Sequence, residues 1–139
     1  RQKAEVLLPV TRSVDLAQKC LAEMPTGGKT PLADGLATSL LTLGMLNKKD
    51  GELEPVLIVV TDGRANAIEE NGSDSVESAL KIAEKIRKAK ITSVVIDTET
   101  DFIKLGVAKA LAKAMGATYY SLRSLSQEQI LRIVRNLDV

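Results

Sequence analysis

Apolar positions along this chain follow two periods. The longest unbroken run, Val56-Leu57-Ile58-Val59-Val60, comes after Pro55 and stops at Thr61-Asp62-Gly63. A run apolar on both faces, rich in valine and isoleucine and closed by turn residues, predicts a central strand of a parallel sheet buried between two helical layers. Ile91 to Ile96 repeats the pattern and ends in Asp97-Thr98-Glu99, and Ala117 to Ser121 is a shorter strand. Ala4 to Leu8 reads as a strand that Pro9 ends.

Between these runs apolar residues recur at helical spacing. Val14, Ala17, Leu21 and Met24, with Cys20 beside them, mark a helix that Thr11 or Ser13 can cap. Pro25-Thr26-Gly27-Gly28 breaks it. A second helix starts with Thr30 as N-cap and Pro31 at the first helical position, and runs to about Asn47. Asp34 is its only charge before Lys48, and a helix apolar nearly all round is expected to be buried on more than one side. Asp74 and Glu77 form a capping box for a third helix. Val76, Ala79, Leu80, Ala83 and Ile86 share its apolar face, with Lys81, Lys85 and Lys88 on a solvated one. Leu105 to Met115 is a fourth helix stopped at Gly116, and Ser126 to Leu137 a fifth. The alternation predicts one α/β domain over residues 1–139, a three-layer sandwich with a mostly parallel sheet and helices on both faces.

Composition narrows the chemistry. A formal net charge of +1 argues against a dedicated nucleic-acid binder, and two tyrosines, one phenylalanine and no tryptophan give no platform for stacking bases. The chain contains no histidine, which excludes Ser-His-Asp and Cys-His nucleophile systems within it and the usual zinc sites. A metal here should be a hard cation on oxygen ligands. The one cysteine, Cys20, reads as buried filler on a helix stripe. No stretch is long and apolar enough for a membrane span and no signal peptide is evident, so the expected compartment is the cytoplasm.

Ligands of parallel sheets bind outside the carboxyl ends of the strands, and Asp62 is the first polar side chain to emerge there. The alternative is that Asp62 only shapes a turn with Gly63. Gly28-Lys29-Thr30 invites comparison with a phosphate-binding loop, but the required earlier glycine is Glu23 and a helix, not a strand, leads in. Thr30 and Asp62, one at a helix start and one at a strand end, can together hold an octahedral Mg²⁺ that keeps several waters. Thr30 read alone is an N-cap. Arg64 and Asn66 lie just past Asp62, where they can meet a partner or remain plain surface. Asp97 and Glu99 are supporting groups for such a site or, more simply, solvated turn residues.

Three stretches in this order, Thr26-Gly27-Gly28-Lys29-Thr30-Pro31-Leu32-Ala33-Asp34-Gly35-Leu36, Val59-Val60-Thr61-Asp62-Gly63-Arg64-Ala65-Asn66 and Val95-Ile96-Asp97-Thr98-Glu99, resemble the carboxyl-terminal von Willebrand factor A (integrin I-like) domain of the magnesium-chelatase D subunit and its chelatase-like relatives. The resemblance covers nearly the whole chain. It implies a metal-ion-dependent adhesion site, with Thr30 matching the family threonine and Asp62 the family aspartate, and with Gly28 and Gly63 letting the backbone approach the ion. The family's Asp-x-Ser-x-Ser loop has no counterpart here. The resemblance therefore implies a chain that would be truncated at its amino terminus and would begin at the third strand. Two absent strands would lie between Ala4–Leu8 and Val56–Thr61, and without them an apolar sheet edge is exposed or pairs elsewhere.

The function implied is a non-catalytic, Mg²⁺-dependent interaction module of an AAA+ assembly that inserts a metal into a tetrapyrrole. Its partners would be other chelatase subunits, bound through an acidic side chain at the metal. The alternatives are a nucleotide-binding α/β enzyme domain with Gly27-Gly28 as its phosphate loop, or a von Willebrand A-like adhesion module of another system. What precedes the glycines discriminates: a strand favours the nucleotide, a helix the adhesion-type site.

Overall fold

The structure, a computed structural model, describes residues 3–24, 31–49, 54–63, 76–99, 106–122 and 127–136. Within them the chain forms α1 (Val14–Ala22), α2 (Leu32–Lys49), β1 (Val56–Thr61), α3 (Val76–Lys88), β2 (Thr92–Asp97), α4 (Gly106–Met115), β3 (Thr118–Ser121) and α5 (Gln127–Asn136). The three strands form one parallel sheet in the order β1-β2-β3, with Val56 opposite Thr92 and Val94 opposite Thr118. This is the α/β class expected from the alternating pattern. Parallel neighbours in chain order need crossovers of one hand, so the two crossover helices α3 and α4 lie on the same face of the sheet.

That face holds the core. Ala79, Ala83 and Ile86 of α3 and Ala108, Leu111, Ala112 and Met115 of α4 pack with Val95 of β2 and with Leu32, Ala33 and Leu36 of α2. Ile86 is fully buried, a placement that contributes about 1.5–3 kcal/mol for a side chain of its size. The alanines let the helices approach closely. On the opposite face of β2, Val94 and Ile96 are buried as well, so both faces of this strand are covered.

Both crossover helices end in the same way. Lys90 and Ile91 donate backward to the carbonyls of Arg87 and Ile86, and Gly116 and Ala117 do the same to Lys113 and Ala112. This pairing places a left-handed residue just past the helix end. Gly116 takes it at φ 66°, whereas Lys90 takes it at φ 57° and bears the Cβ penalty that glycine avoids.

Several expectations are corrected. The strand at Val56–Thr61 exists, but β2 is the central strand and β1, among the described residues, lies at an edge. Ile58 and Val60 are accordingly exposed, the latter at 63%. An apolar sequence reports that a strand can be covered, not that it is. Residues 4–8 form no strand; they run beside α2, where Asp34 accepts the Ala4 N–H at 2.6 Å. The first helix is present, with Ser13 as its N-cap accepting the Leu16 N–H at 3.2 Å, but none of its residues is buried. Its stripe of Val14, Leu21 and Met24 faces solvent, and Cys20 is only half-buried. α2 is buried at Leu32, Ala33 and Leu36 but exposes Leu41 and Met45. The proposed caps Thr30 and Asp74 lie outside the described residues.

Candidate functional site at the carboxyl edge of the sheet

The strands end level with one another. Thr61 pairs with Asp97, and Asp97 with Ser121, so three polar residues line the carboxyl edge and Asp62 follows directly beyond it, half-buried. Two hydrogen bonds hold the chain on either side of Asp62. The Thr61 carbonyl accepts the Thr98 N–H at 2.9 Å, extending the ladder by one rung, and Thr61 Oγ1 accepts the Gly63 N–H at 3.0 Å. Gly63 has φ 78°, and a Cβ there would meet the Val107 Cβ and the Ala108 nitrogen at 3.1 Å. Glycine is therefore required twice over, for its conformation and for the close approach of the turn to the start of α4.

Asp97 is fully buried. Its Oδ2 accepts the Tyr119 hydroxyl at 2.6 Å and its Oδ1 accepts the Glu99 N–H at 2.9 Å. A buried carboxylate is tolerable only when such donors replace its water. Burial, the hydrogen bond to Asp97 and the negative charge of Asp97, in that order, push the Tyr119 hydroxyl up to about 12. The Lys109 ammonium stands 5.7 Å from the Tyr119 ring centroid, a cation–π arrangement at the rim of this pair. Glu99 is also buried, at 4% exposure.

Asp97 and Glu99 are thus not solvated turn residues, and that simpler expectation is corrected. Tyr119 is the residue that sequence reasoning missed. Its signal was the period-two alternation of Thr118–Ser121, which puts Tyr119 and Ser121 on one face and Tyr120 on the other, but only the strand order says that this face meets Asp97. Of the candidate residues, Asp62, Gly63 and Asp97 come together at this edge, while Gly28, Thr30, Arg64 and Asn66 lie outside the described residues. Among the described residues no group of three or more carboxylate, thiol or imidazole side chains is placed to hold a metal. Both Asp97 oxygens accept hydrogen bonds, and Asp62 stands half-buried one residue beyond the edge. What leads toward Gly27-Gly28 is the helix α1 rather than a strand, the arrangement that a phosphate-binding loop lacks.

No family model matches the chain. Individual proteins do. An uncharacterised protein of Methanocaldococcus jannaschii is 39% identical over 141 residues, covering 100% of this chain and 79% of that protein. The magnesium-chelatase 67 kDa subunit of Chlorobaculum tepidum is 34% identical over 140 residues, covering 94% of this chain but 22% of the subunit. The magnesium-chelatase 60 kDa subunit of Cereibacter sphaeroides is 38% identical over 122 residues, with 86% of this chain and 21% of the subunit covered. The chain spans about a fifth of the length of those subunits. It therefore belongs to one family with the M. jannaschii protein and is homologous to a segment of magnesium-chelatase subunits.

Proposed function

We propose that this chain is a non-catalytic, Mg²⁺-dependent protein-interaction module of a magnesium-chelatase-like assembly. The observation that carries the proposal is Asp62, half-buried at the carboxyl edge of a parallel sheet, in a chain homologous across most of its length to magnesium-chelatase subunits. Asp62 would bind the ion together with Thr30, and the remaining positions would be filled by water and by an acidic side chain of another subunit. The donor chemistry fits a hard cation: a carboxylate and a hydroxyl, in a chain without histidine. When bound, Mg²⁺ would supply a strong and removable attachment point for a carboxylate.

The protein's own residues prepare that point. Thr61 fixes the chain before and after Asp62 through its carbonyl and its hydroxyl. Gly63 seats the turn on α4, and Asp97 holds the neighbouring strand end in place. Insertion of a metal into a tetrapyrrole would be an activity of the whole assembly, driven by an AAA+ motor elsewhere in it.

Thermal unfolding of the full-length protein with and without Mg²⁺ or Mn²⁺ tests this. An ion that binds only the folded state raises stability by ~2.7 kcal/mol at a hundredfold excess over its Kd. Asp62→Ala should abolish the rise. No response in the wild type, or an equal response in Asp62→Ala, would overturn the proposal.

A further inference from the structure

The outer side of the helical layer carries a charge pattern unlike that of the chain as a whole. α3, the turn after it and α4 present seven exposed cations against two exposed carboxylates, Glu77 and Glu84, in a protein whose formal net charge is +1. Two shallow grooves flank α3. The first, between α2 and α3, has a volume of about 310 Å³ and an apolar floor of Ala33, Ala37 and Ile82, with Lys81 and Lys85 beside it. Ser78 and Asp34 also border it, the latter already engaged by the Ala4 N–H. The second, between α3 and α4, has about 330 Å³ over Leu80, Ala110 and Ala114, with Arg87, Lys113 and Glu84 around it.

Lys85 and Lys113 stand in the last turns of their helices, where the helix dipole favours a cation, but the spacing of the lysines works against the helices. Lys81 and Lys85, and likewise Lys109 and Lys113, stand one turn apart on the same helix, where like charges destabilise it. Lys81 has a helical partner in Glu77 at 3.6 Å, but both side chains are largely in water and the pair contributes little. Lys85 and Lys113 pair with no carboxylate among the described residues.

From this pattern we infer that the outer face of α3 and α4 is a docking surface for an acidic amphipathic segment of a partner protein. Apolar side chains of the segment enter the two grooves, and its carboxylates meet Lys85 on one side of α3 and Lys113 on the other. Charge complementarity selects an acidic occupant, and the recessed apolar floors select a protein. A nucleic-acid backbone would satisfy the lysines but leave the floors bare, with no aromatic side chain there to stack a base. A bilayer surface, being flat, would not enter grooves floored by alanine. This surface is separate from the Asp62 edge and does not depend on a bound metal.

The test is fluorescence anisotropy of the full-length protein with a labelled synthetic helix, leucine at helical spacing on one face and glutamate on the flanks. Polyglutamate of equal length, a single-stranded oligonucleotide and phosphatidylserine vesicles run beside it. The amphipathic peptide should bind, more weakly as salt is added, and Lys85→Glu with Lys113→Glu should weaken it by about tenfold or more at an unchanged thermal midpoint. Arg12→Glu, an exposed charge ahead of α1, should leave binding as it is. Absence of binding, unaltered binding by the double variant, equal binding of polyglutamate, or tighter binding of the oligonucleotide or vesicles would each overturn the inference.

Discussion

Asp97 shows how a single buried side chain organises its surroundings. Its two oxygens take one donor from the next strand and one from its own turn, so the carboxylate ties β3 to the end of β2. Asp97→Ala leaves the buried Glu99 N–H and the part-buried Tyr119 hydroxyl without their acceptor and should lower stability by about 1–3 kcal/mol, measured by denaturant unfolding. The pH dependence has a definite sign. The Tyr119 hydroxyl rises from 10.0 to about 12 in the folded protein, so at high pH the unfolded chain releases this proton before the native state does. Stability from this group is complete below pH 10, declines as pH rises from 10, and is gone above about 12. Tyr119→Phe should remove that part of the alkaline decline, seen as a flatter plot of unfolding midpoint against pH.

At the scale of elements, α1 and α3 make opposite cases. α3 was legible because one face is buried along its whole length: Ala79, Ala83 and Ile86 recur at the spacing that the core demands. α1 has the same spacing and an identified cap, yet it buries nothing, since an apolar stripe shows what a helix can cover and not what covers it. The same gap separates the expected central position of β1 from its observed edge. It also hid the burial of Asp97, which depends on a tyrosine a helix away along the chain. The turn at Asp62-Gly63 was legible as a turn; that Gly63 lies against α4 was not, because the chain alone does not say where a helix begins to pack. With none of its residues fully buried, α1 leans on its local bonds. Ser13→Ala should reduce amide-exchange protection in α1, the loss of a cap costing the helix about 1 kcal/mol, while leaving the global unfolding midpoint almost unchanged.

For the molecule as a whole, the β1 edge of the described sheet is where association with another strand is expected. Among the described residues its backbone has no neighbour beyond β2, and Ile58 and Val60 present apolar surface beside it. An edge of this kind templates pairing with another strand. Val60→Lys should reduce self-association in sedimentation experiments with little loss of stability, as the side chain it replaces is already exposed. Persistence of the same oligomer would show that contacts between copies lie elsewhere.

The strand order has a kinetic consequence. Val56 meets Thr92 and Val94 meets Thr118, so each pairing is closed by a single crossover and, among the described strands, none waits for a partner from a distant part of the chain. Entropy lost in closing such loops grows only slowly with their length, so neither pairing enjoys a large head start. Both, however, require β2. The described sheet therefore cannot assemble without β2, and its pairing can begin on either side of that strand.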